Sequence, residues 1–344
     1  MTFSFSAFWA QLTTAPPMGA AAALTLAVIF VNGWTDAPNA IAATVSTSAL
    51  SFRQAALLAG ICNLLGGVCM VGVNTQVAYT LYSIADFGGD PAMSLTALCA
   101  AMTAIVGWAV AAWIFGLPTS ESHALAAGLT GGALALGRGF SAVHWWAWGR
   151  ILLGLLLSVA AGFWLARIIW GLLPHDQHAV RLFRRLQIPA AAGMSFCHGA
   201  QDGQKFMGVF LLSITLARRE ACIESFQIPL WLAVLCSLTM AAGTCVGGER
   251  IVRTVGSQLA PIDTCRGFSA DLSSMICLLG ATALGLPVST THTKSAAIWG
   301  AGSLGPDHNV NRHTLCRLWL VWLLTFPCCG LIGYLMAAIF LRIF

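Results

Sequence analysis

The sequence predicts an all-α polytopic membrane protein made of two inverted-topology repeats, whose broken or re-entrant helices meet near the membrane midplane. Three observations predict this fold class. The chain of 344 residues is 58% hydrophobic and 8% charged, with a mean hydropathy of +0.80. Long segments almost free of charge recur along its whole length, and two short polar motifs each occur twice in the same order.

This composition lies outside the range of soluble domains. A hydrocarbon core about 30 Å thick needs about 20 apolar residues per helix, so several helices are expected to span it. The first residues lack the basic region and cleavage site of a secretory signal and are interpreted as a short mature lead-in. The net charge of +5 comes mostly from arginines in expected loops, which argues against nucleic-acid binding. The twelve cysteines lack zinc-site spacing and are interpreted as core residues.

The apolar segments fall into two halves around a polar stretch. They lie at about 17–50, 54–82, 92–116, 119–137, 143–173, 188–217, 226–247, 267–304 and 313–343. We therefore predict a first transmembrane repeat over 1–173, a polar linker over 174–187 and a second transmembrane repeat over 188–344. The arginines of the linker predict that it lies on the cytoplasmic side.

Two motifs support an internal duplication. Placing "NGWTDAPNAIAATVS" (32–46) over "HGAQDGQKFMGVFLL" (198–212) aligns Asp36 with Asp202. Placing "LPTSESHALAAGLTGGA" (117–133) over "LPVSTTHTKSAAIWGAG" (286–302) aligns Leu-Pro, a serine and a histidine. Each half thus carries one acidic motif followed by one Pro-Ser motif, which is typical of a duplicated transporter.

The acidic motifs are suited to a cation. A carboxylate in an apolar segment costs about 2.5–3.5 kcal/mol even on insertion scales and must be compensated. Carboxylate and amide oxygens bind hard cations or carry protons. The candidate cation-coupling residues are Asp36, Asn39, Asn32, Asp202 and Gln204, with His198 and Lys205 as supporting residues.

The Pro-Ser motifs are suited to an anion. Proline fits the first turn of a helix and serine or threonine caps it, so each motif predicts a helix N-terminus with free N–H groups that favour an oxyanion. The candidate anion-binding residues are Ser120, Ser122, Ser289, Thr290, Thr291 and Lys294, with His123, His292 and Glu121 as supporting residues.

Simpler interpretations stay open for these residues. A serine or threonine in a membrane helix usually bonds to its own backbone, and a lone histidine is usually a satisfied core residue. The equivalent repeat positions of His123 and His292 weaken that interpretation. Lys294 either contacts the anion or neutralises Asp271 or Glu121.

Four segments resemble the duplicated signature motifs of the inorganic phosphate transporter (PiT) family: "NGWTDAPNAIAATVSTSAL", "SFCHGAQDGQKFMG", "GLPTSESHALAAGLTG" and "GLPVSTTHTK". The resemblance covers nearly the whole chain. It implies an all-helical secondary transporter with two inverted repeats that carries inorganic phosphate with sodium or protons. Residue by residue, it implies cation coupling at Asp36, Asn39, Asp202 and Gln204, with sodium as the candidate metal. It also implies phosphate contacts at Ser120, Ser122, Ser289, Thr290 and Thr291.

The chain departs from the family pattern at four positions. Gln201 stands where the family usually has asparagine, and Lys205 stands where the first repeat has Asn39. Lys294 and Glu121 replace small or apolar residues. A buried lysine either holds the anion or substitutes for a sodium ion, so the coupling ion stays open between sodium and protons.

The sequence therefore predicts a phosphate:cation symporter of the inner or plasma membrane, which is no enzyme and has no cofactor beyond the coupling cation. A homodimer is a further expectation. The alternatives are a sulfate or other oxyanion symporter of the same fold and, more remotely, an intramembrane phosphate-ester enzyme with a histidine nucleophile or base. The duplicated motifs argue against the enzyme, because a catalytic dyad needs one copy. A cation channel would leave the two Ser/Thr-rich helix ends unexplained.

Overall fold

The structure, a computed structural model, describes residues 4–14, 16–218, 226–305 and 310–344. Helices make up nearly all of this part of the chain, and its single β-bridge joins Ala85 to Val143. The α-helices are α1 (Phe5–Thr14), α2 (Pro16–Thr35), α3 (Pro38–Ser46), α4 (Phe52–Val71), α5 (Gln76–Tyr82), α6 (Pro91–Ile114), α7 (Glu121–Ala133), α8 (Trp145–Leu172), α9 (Gln177–Arg218), α10 (Leu230–Val246), α11 (Glu249–Arg253), α12 (Thr264–Ala283), α13 (Thr290–Gly302) and α14 (Arg312–Ile343). Short π-helical and 3-10 turns follow α7 and α11. The predicted all-α class is confirmed.

Five helical segments in the described residues are long and apolar enough to cross a membrane. They are Pro16–Ser46, Phe52–Val71, Pro91–Ile114, Trp145–Leu172 and Arg312–Ile343. A sixth arises if α10 and the helix after it, bent by 67°, form one span. Helices α9 and α12 are also long, but they carry the buried charged residues described below.

The polar stretch predicted as a linker is mostly helical. Helix α8 ends at Leu172, and α9 begins at Gln177 and continues through 187 into the second repeat without a break. Its length of 42 residues corresponds to about 63 Å of helix, so part of α9 extends beyond a hydrocarbon core. The division into repeats at 174–187 stays a prediction.

Corresponding helices of the two halves make corresponding contacts. Helix α2 packs on α10 as α9 packs on α4, and α2 packs on α6 as α9 packs on α12. The short helix α7 packs on α14, and the short helix α13 packs on α8. Each short helix therefore lies against the last long helix of the other half. The opposite membrane orientation of the halves stays a prediction.

The approach to each short helix has the same backbone geometry. Helices α6 and α12 end before Gly116 and Gly285, which both have φ of +64°, a conformation that glycine adopts without strain. The next residue then bonds back to the helix: Leu117 N donates to Ala112 O at 2.9 Å, and Leu286 N donates to Ala281 O at 2.8 Å. The chain reverses at each glycine and enters a Leu-Pro segment that leads to α7 or α13.

The two acidic motifs differ in their backbone. The first lies at a break, because α2 ends at Thr35 and α3 begins at Pro38. Proline lacks the N–H that would continue the helix. The second motif lies inside the continuous helix α9, where Gln204 occupies the position aligned with Pro38. Asp36 therefore lies at an interrupted helix and Asp202 lies on a full one.

Glycines bring the short helices into backbone contact with the other half. A Cβ on Gly131 of α7 would overlap the Gly330 carbonyl of α14, and a Cβ on Gly300 of α13 would overlap the Phe163 carbonyl of α8. Gly131 and Gly300 occupy equivalent positions in the aligned repeats. Small residues that let helix backbones approach are the usual means of packing in membranes.

We expect Gly300→Ala to lower the apparent midpoint of thermal unfolding in detergent, because overpacking a tight contact costs about 1–3 kcal/mol. The matched control is Gly280→Ala in α12, where a Cβ has open space and alanine is the better helix former by about 1 kcal/mol. Equal midpoints for the two variants would contradict the close approach of α13 and α8.

Candidate functional site

Two helix N-termini form the centre of the site. The Ser120 side chain caps α7 by accepting the His123 backbone N–H at 3.3 Å, and the Ser289 side chain caps α13 by accepting the His292 backbone N–H at 3.3 Å. Both caps are buried. An N-terminus so capped still presents other N–H groups and a partial positive charge.

The two N-termini converge on each other. The Lys205 ammonium of α9 donates to Ser122 Oγ in the first turn of α7 at 2.6 Å. It also donates to the Val288 carbonyl, just before the cap of α13, at 2.5 Å. The rings of His123 and His292 lie 4.7 Å apart between their centroids. The structure therefore brings the two Pro-Ser motifs together, and their meeting near the membrane midplane stays a prediction.

Asp36 accepts hydrogen bonds from α3 and α13. Thr291 Oγ1 donates to Asp36 Oδ1. Asn39 Nδ2 donates to the same oxygen at 2.8 Å and also reaches Thr291 Oγ1 at 3.3 Å. Thr290 Oγ1 lies 3.5 Å from Asp36 Oδ2. The first acidic motif is therefore bound directly to the second Pro-Ser motif.

Asp202 has a different set of partners. Lys205 Nζ donates to Asp202 Oδ1 at 2.6 Å, and His198 Nε2 lies 3.3 Å from Oδ2. Asn32 Nδ2 and Thr290 Oγ1 reach Oδ2 at 3.5 and 3.3 Å. Thr290 thus lies between the two aspartates and joins them.

Glu121, the first residue of α7, adds a third carboxylate. It accepts a hydrogen bond from Thr35, the last residue of α2. A carboxylate in the first turn of a helix is favoured by the helix dipole. The glutamate is buried, so a negative charge on it would add to those of the two aspartates nearby.

Several buried polar atoms of the site have no hydrogen-bond partner among the described residues. They include the acceptors Asn32 Oδ1, Asn39 Oδ1 and Gln204 Oε1 and the donor Gln204 Nε2. Buried polar atoms normally find partners, so an unpartnered group needs an explanation such as an ion or a water. One ligand atom from each of Asp36, His198 and Asp202 lies within 4.8 Å of the others. The carboxylate oxygens of this group fit a hard cation.

The two histidines of the Pro-Ser motifs are held by aromatic rings. His123 stacks on Phe326 of α14 with 4.4 Å between centroids, and His292 lies 3.8 Å from Trp322 of the same helix. His292 Nδ1 also lies 2.6 Å from Ser289 Oγ. An apolar cavity of about 360 Å³ between α8, α13 and α14 reaches His292.

Lys294 lies apart from the other candidate anion ligands. Its ammonium donates to Asp271 of α12, and Thr44 Oγ1 donates to the other Asp271 oxygen at 3.4 Å. All three residues are buried. The structure therefore favours the charge-neutralising alternative for Lys294, and its direct contact with an anion stays a prediction.

Sequence reasoning missed some residues of the site. His198 Nδ1 lies 3.1 Å from Asn63 Oδ1, and Asn63 Nδ2 donates to Thr244 Oγ1 at 3.0 Å. Thr35 was missed as the partner of Glu121. The signal for Asn63 was present, because a lone amide within the apolar segment "GICNLLGG" needs a buried partner.

A buried, charged site formed by interrupted helices inside a multi-pass α-helical membrane protein is the arrangement of a secondary transporter. The sequence model of the phosphate transporter family matches residues 32–333 of this chain. The chain therefore belongs to the phosphate transporter family. This membership confirms the resemblance stated above and the prediction of a transporter rather than an enzyme.

Relatives of known name support the assignment. The chain is 34% identical over 314 residues to the "Probable low-affinity inorganic phosphate transporter" of Bacillus subtilis, covering 90% of this chain and 92% of that protein. It is 35% identical over 321 residues to the protein of the same name from Rhizobium meliloti, covering 91% and 93%. The solved structure of "The sodium-dependent phosphate transporter" matches with a TM-score of 0.85 at 22% identity, over 96% of this chain and 100% of that one. At 22% identity, the match to this solved structure shows that the two chains share a fold.

We expect either Lys294→Met or Asp271→Leu alone to destabilise the protein by about 3–5 kcal/mol, because each leaves an unpaired buried charge. The double variant should recover most of this loss, since it removes both charges together. The measurement is the apparent thermal unfolding midpoint in detergent. A double variant as unstable as the two single effects added would show that the two side chains are not coupled.

Proposed function

We propose that this protein is a secondary active transporter that imports inorganic phosphate by symport with a cation, sodium or proton, across the inner or plasma membrane. The observation that carries the proposal is the set of hydrogen bonds from the hydroxyls at the α13 N-terminus to the site carboxylates. The same groups that suit an oxyanion are bound to the groups that suit a cation.

The phosphate part of the proposal is supported by the two helix ends. Ser122, Thr290 and Thr291 offer hydroxyl groups beside N-termini whose dipoles favour an oxyanion. A tetrahedral anion can replace its water shell with such donors. The names of the relatives from Bacillus subtilis and Rhizobium meliloti supply inorganic phosphate as the substrate class.

The cation part is supported by charge. In the described residues, the three buried carboxylates of Asp36, Glu121 and Asp202 have Lys205 as their one basic partner by hydrogen bond, while His198 lies beside Asp202. An anion entering this cluster would be repelled unless cations or protons bound with it, since electrostatic interactions are strong in a site of low dielectric constant. Phosphate binding and cation binding are therefore expected to depend on each other.

The hydrogen bonds suggest how this dependence works. While Thr290 and Thr291 donate to Asp36, their hydroxyl hydrogens are not available to phosphate. A sodium ion on the Asp36 carboxylate, completed by the free Asn39 oxygen, or a proton on that carboxylate would weaken these bonds. The hydroxyls could then turn to the anion, so that cation binding would prepare the phosphate site.

The transport step is proposed to depend on the two short helices of the duplicated fold. Helices α7 and α13 have 13 residues each, about 20 Å of helix, which is too short to cross a hydrocarbon core of about 30 Å. We propose that they are re-entrant and enter from opposite sides, as in two inverted repeats that rock around a fixed site. The arginine-rich start of α9 would face the cytoplasm, and the homodimer stays a prediction.

Purified protein in liposomes should take up radiolabelled phosphate when an inward sodium or proton gradient is imposed, and should take up little without one. Sodium gradients at fixed pH and pH gradients without sodium distinguish the two coupling ions. Uptake that excess sulfate abolishes and excess phosphate does not would replace phosphate with sulfate as the substrate. Equal uptake with and without any cation gradient would exclude symport.

We expect Asp36→Asn and Ser289→Ala to reduce phosphate uptake by more than about tenfold. The first variant removes the charge proposed to bind the cation, and the second removes the N-cap of α13, which is worth about 0.5–2 kcal/mol. The readouts are uptake in liposomes and rescue of phosphate-dependent growth. Matched controls are Glu249→Gln, an exposed acid paired with Arg253, and Ser213→Ala, a buried serine that donates to its own helix at Phe210 O. Normal transport by both site variants would refute the site assignment.

A further inference from the structure

One contact is built in the same way in both halves of the site, but with a different side chain in each. In the first half, Asn39 Nδ2 donates to Asp36 Oδ1 at 2.8 Å and to Thr291 Oγ1 at 3.3 Å. In the second half, Lys205 Nζ donates to Asp202 Oδ1 and to Ser122 Oγ, both at 2.6 Å. Asn39 aligns with Lys205, Asp36 with Asp202, and Thr291 with Ser122.

At this equivalent position the second half has a charged side chain, Lys205, where the first half has a neutral one, Asn39. Each amine or amide nitrogen joins the aspartate of its own half to a hydroxyl on the short helix of the other half. The Asn39 amide is neutral and keeps a free oxygen, Oδ1. Lys205 places an ammonium group at the same position. Asp36 has no basic hydrogen-bond or ion-pair partner among the described residues.

We infer that the Lys205 ammonium is a tethered cation: it neutralises Asp202, as an exchangeable cation neutralises Asp36. This protein therefore moves one coupling ion fewer than it would if both half-sites bound an exchangeable cation. The inference rests on the proposed symport and names the residue that sets its stoichiometry.

The contacts of Lys205 distinguish this role from a direct phosphate contact. A lysine ammonium has three N–H donors, and Nζ has three oxygen partners at 2.5–2.6 Å: Asp202 Oδ1, Ser122 Oγ and the Val288 carbonyl. No donor is left for an anion. A carboxylate, a hydroxyl and a backbone carbonyl around one positive centre are also the oxygen ligands that a metal cation would collect.

A buried ion pair between Lys205 and Asp202 could have a structural role alone, but the geometry indicates a role in coupling as well. The ammonium links α9, the first turn of α7 and the residue before the α13 cap, so it joins the two halves of the chain at the site. The unpartnered amide of Gln204 lies next to it in sequence. A fixed charge here neutralises Asp202 in every step of the cycle, whereas a bound ion would have to leave.

The test replaces Lys205 with the residue of the other half. Wild-type protein, Lys205→Asn and Lys205→Arg are placed in liposomes, and the number of cations moved per phosphate is obtained from the membrane potential at which net uptake stops, at fixed pH. We expect Lys205→Asn to move one more cation per phosphate and to depend more steeply on cation concentration. Lys205→Arg should keep the wild-type stoichiometry, because it keeps the charge.

A reciprocal variant makes the test independent of how well Lys205→Asn folds. Asn39→Lys places a second tethered cation beside Asp36, and we expect the phosphate uptake that remains to lose its dependence on the cation gradient. The inference is overturned if Lys205→Asn transports with wild-type stoichiometry and cation dependence, or if it is folded but inactive at every cation concentration. Should Lys205→Asn fail to fold, cation dependence retained in Asn39→Lys overturns it.

Failure of the inference is distinguishable from failure of the proposed function. Wild-type protein that takes up no phosphate, or takes it up without any cation gradient, contradicts the proposed symport itself. Wild-type protein that shows cation-driven uptake, with a Lys205→Asn variant unchanged in stoichiometry, contradicts the tethered cation alone.

Discussion

The three-way hydrogen bonding of the Lys205 ammonium is the interaction on which the rest of the site depends. The Lys205 ammonium donates hydrogen bonds to the Asp202 carboxylate, to Ser122 in the first turn of α7 and to the Val288 carbonyl before α13. Carboxylates inside a membrane protein cost several kcal/mol unless they are compensated. The ammonium provides that compensation and at the same time fixes where the two helix N-termini meet.

The second constraint is the close packing of α7 and α13 on the long helices of the opposite half. Glycines at equivalent positions let each short helix touch the backbone of α14 or α8. His123 and His292 then lie against Phe326 and Trp322 of α14. The positions of the site hydroxyls therefore depend on apolar contacts as well as on hydrogen bonds.

Much of this arrangement could be predicted from the sequence, and the reasons are physical. Charge is so costly in apolar segments that the carboxylates of Asp36, Asp202 and Glu121 were expected to have compensating partners. The Leu-Pro-x-Ser pattern of the two motifs predicted helix N-termini, and both caps form, at Ser120 and Ser289. The alignment of the repeats also predicted which residues would be equivalent.

Other features were beyond sequence reasoning, because they depend on three-dimensional placement. Neither spacing nor composition shows that Lys294 reaches Asp271 rather than the site, since Glu121 was an equally good partner by charge. The helical state of 177–187 was hidden by its polar composition. Asn63 and Thr35 gain their roles through neighbours far away in the sequence.

The exchange of short helices between the halves has a consequence for biogenesis. Helix α7 ends at Ala133, yet the helix against which it packs begins at Arg312. During synthesis, α7 must therefore wait for almost the entire remaining chain before its glycine face and His123 are covered. During that interval, the acidic first turn of α7 must be solvated by water or contacted by an insertion factor. Neither half can complete its own binding end in isolation.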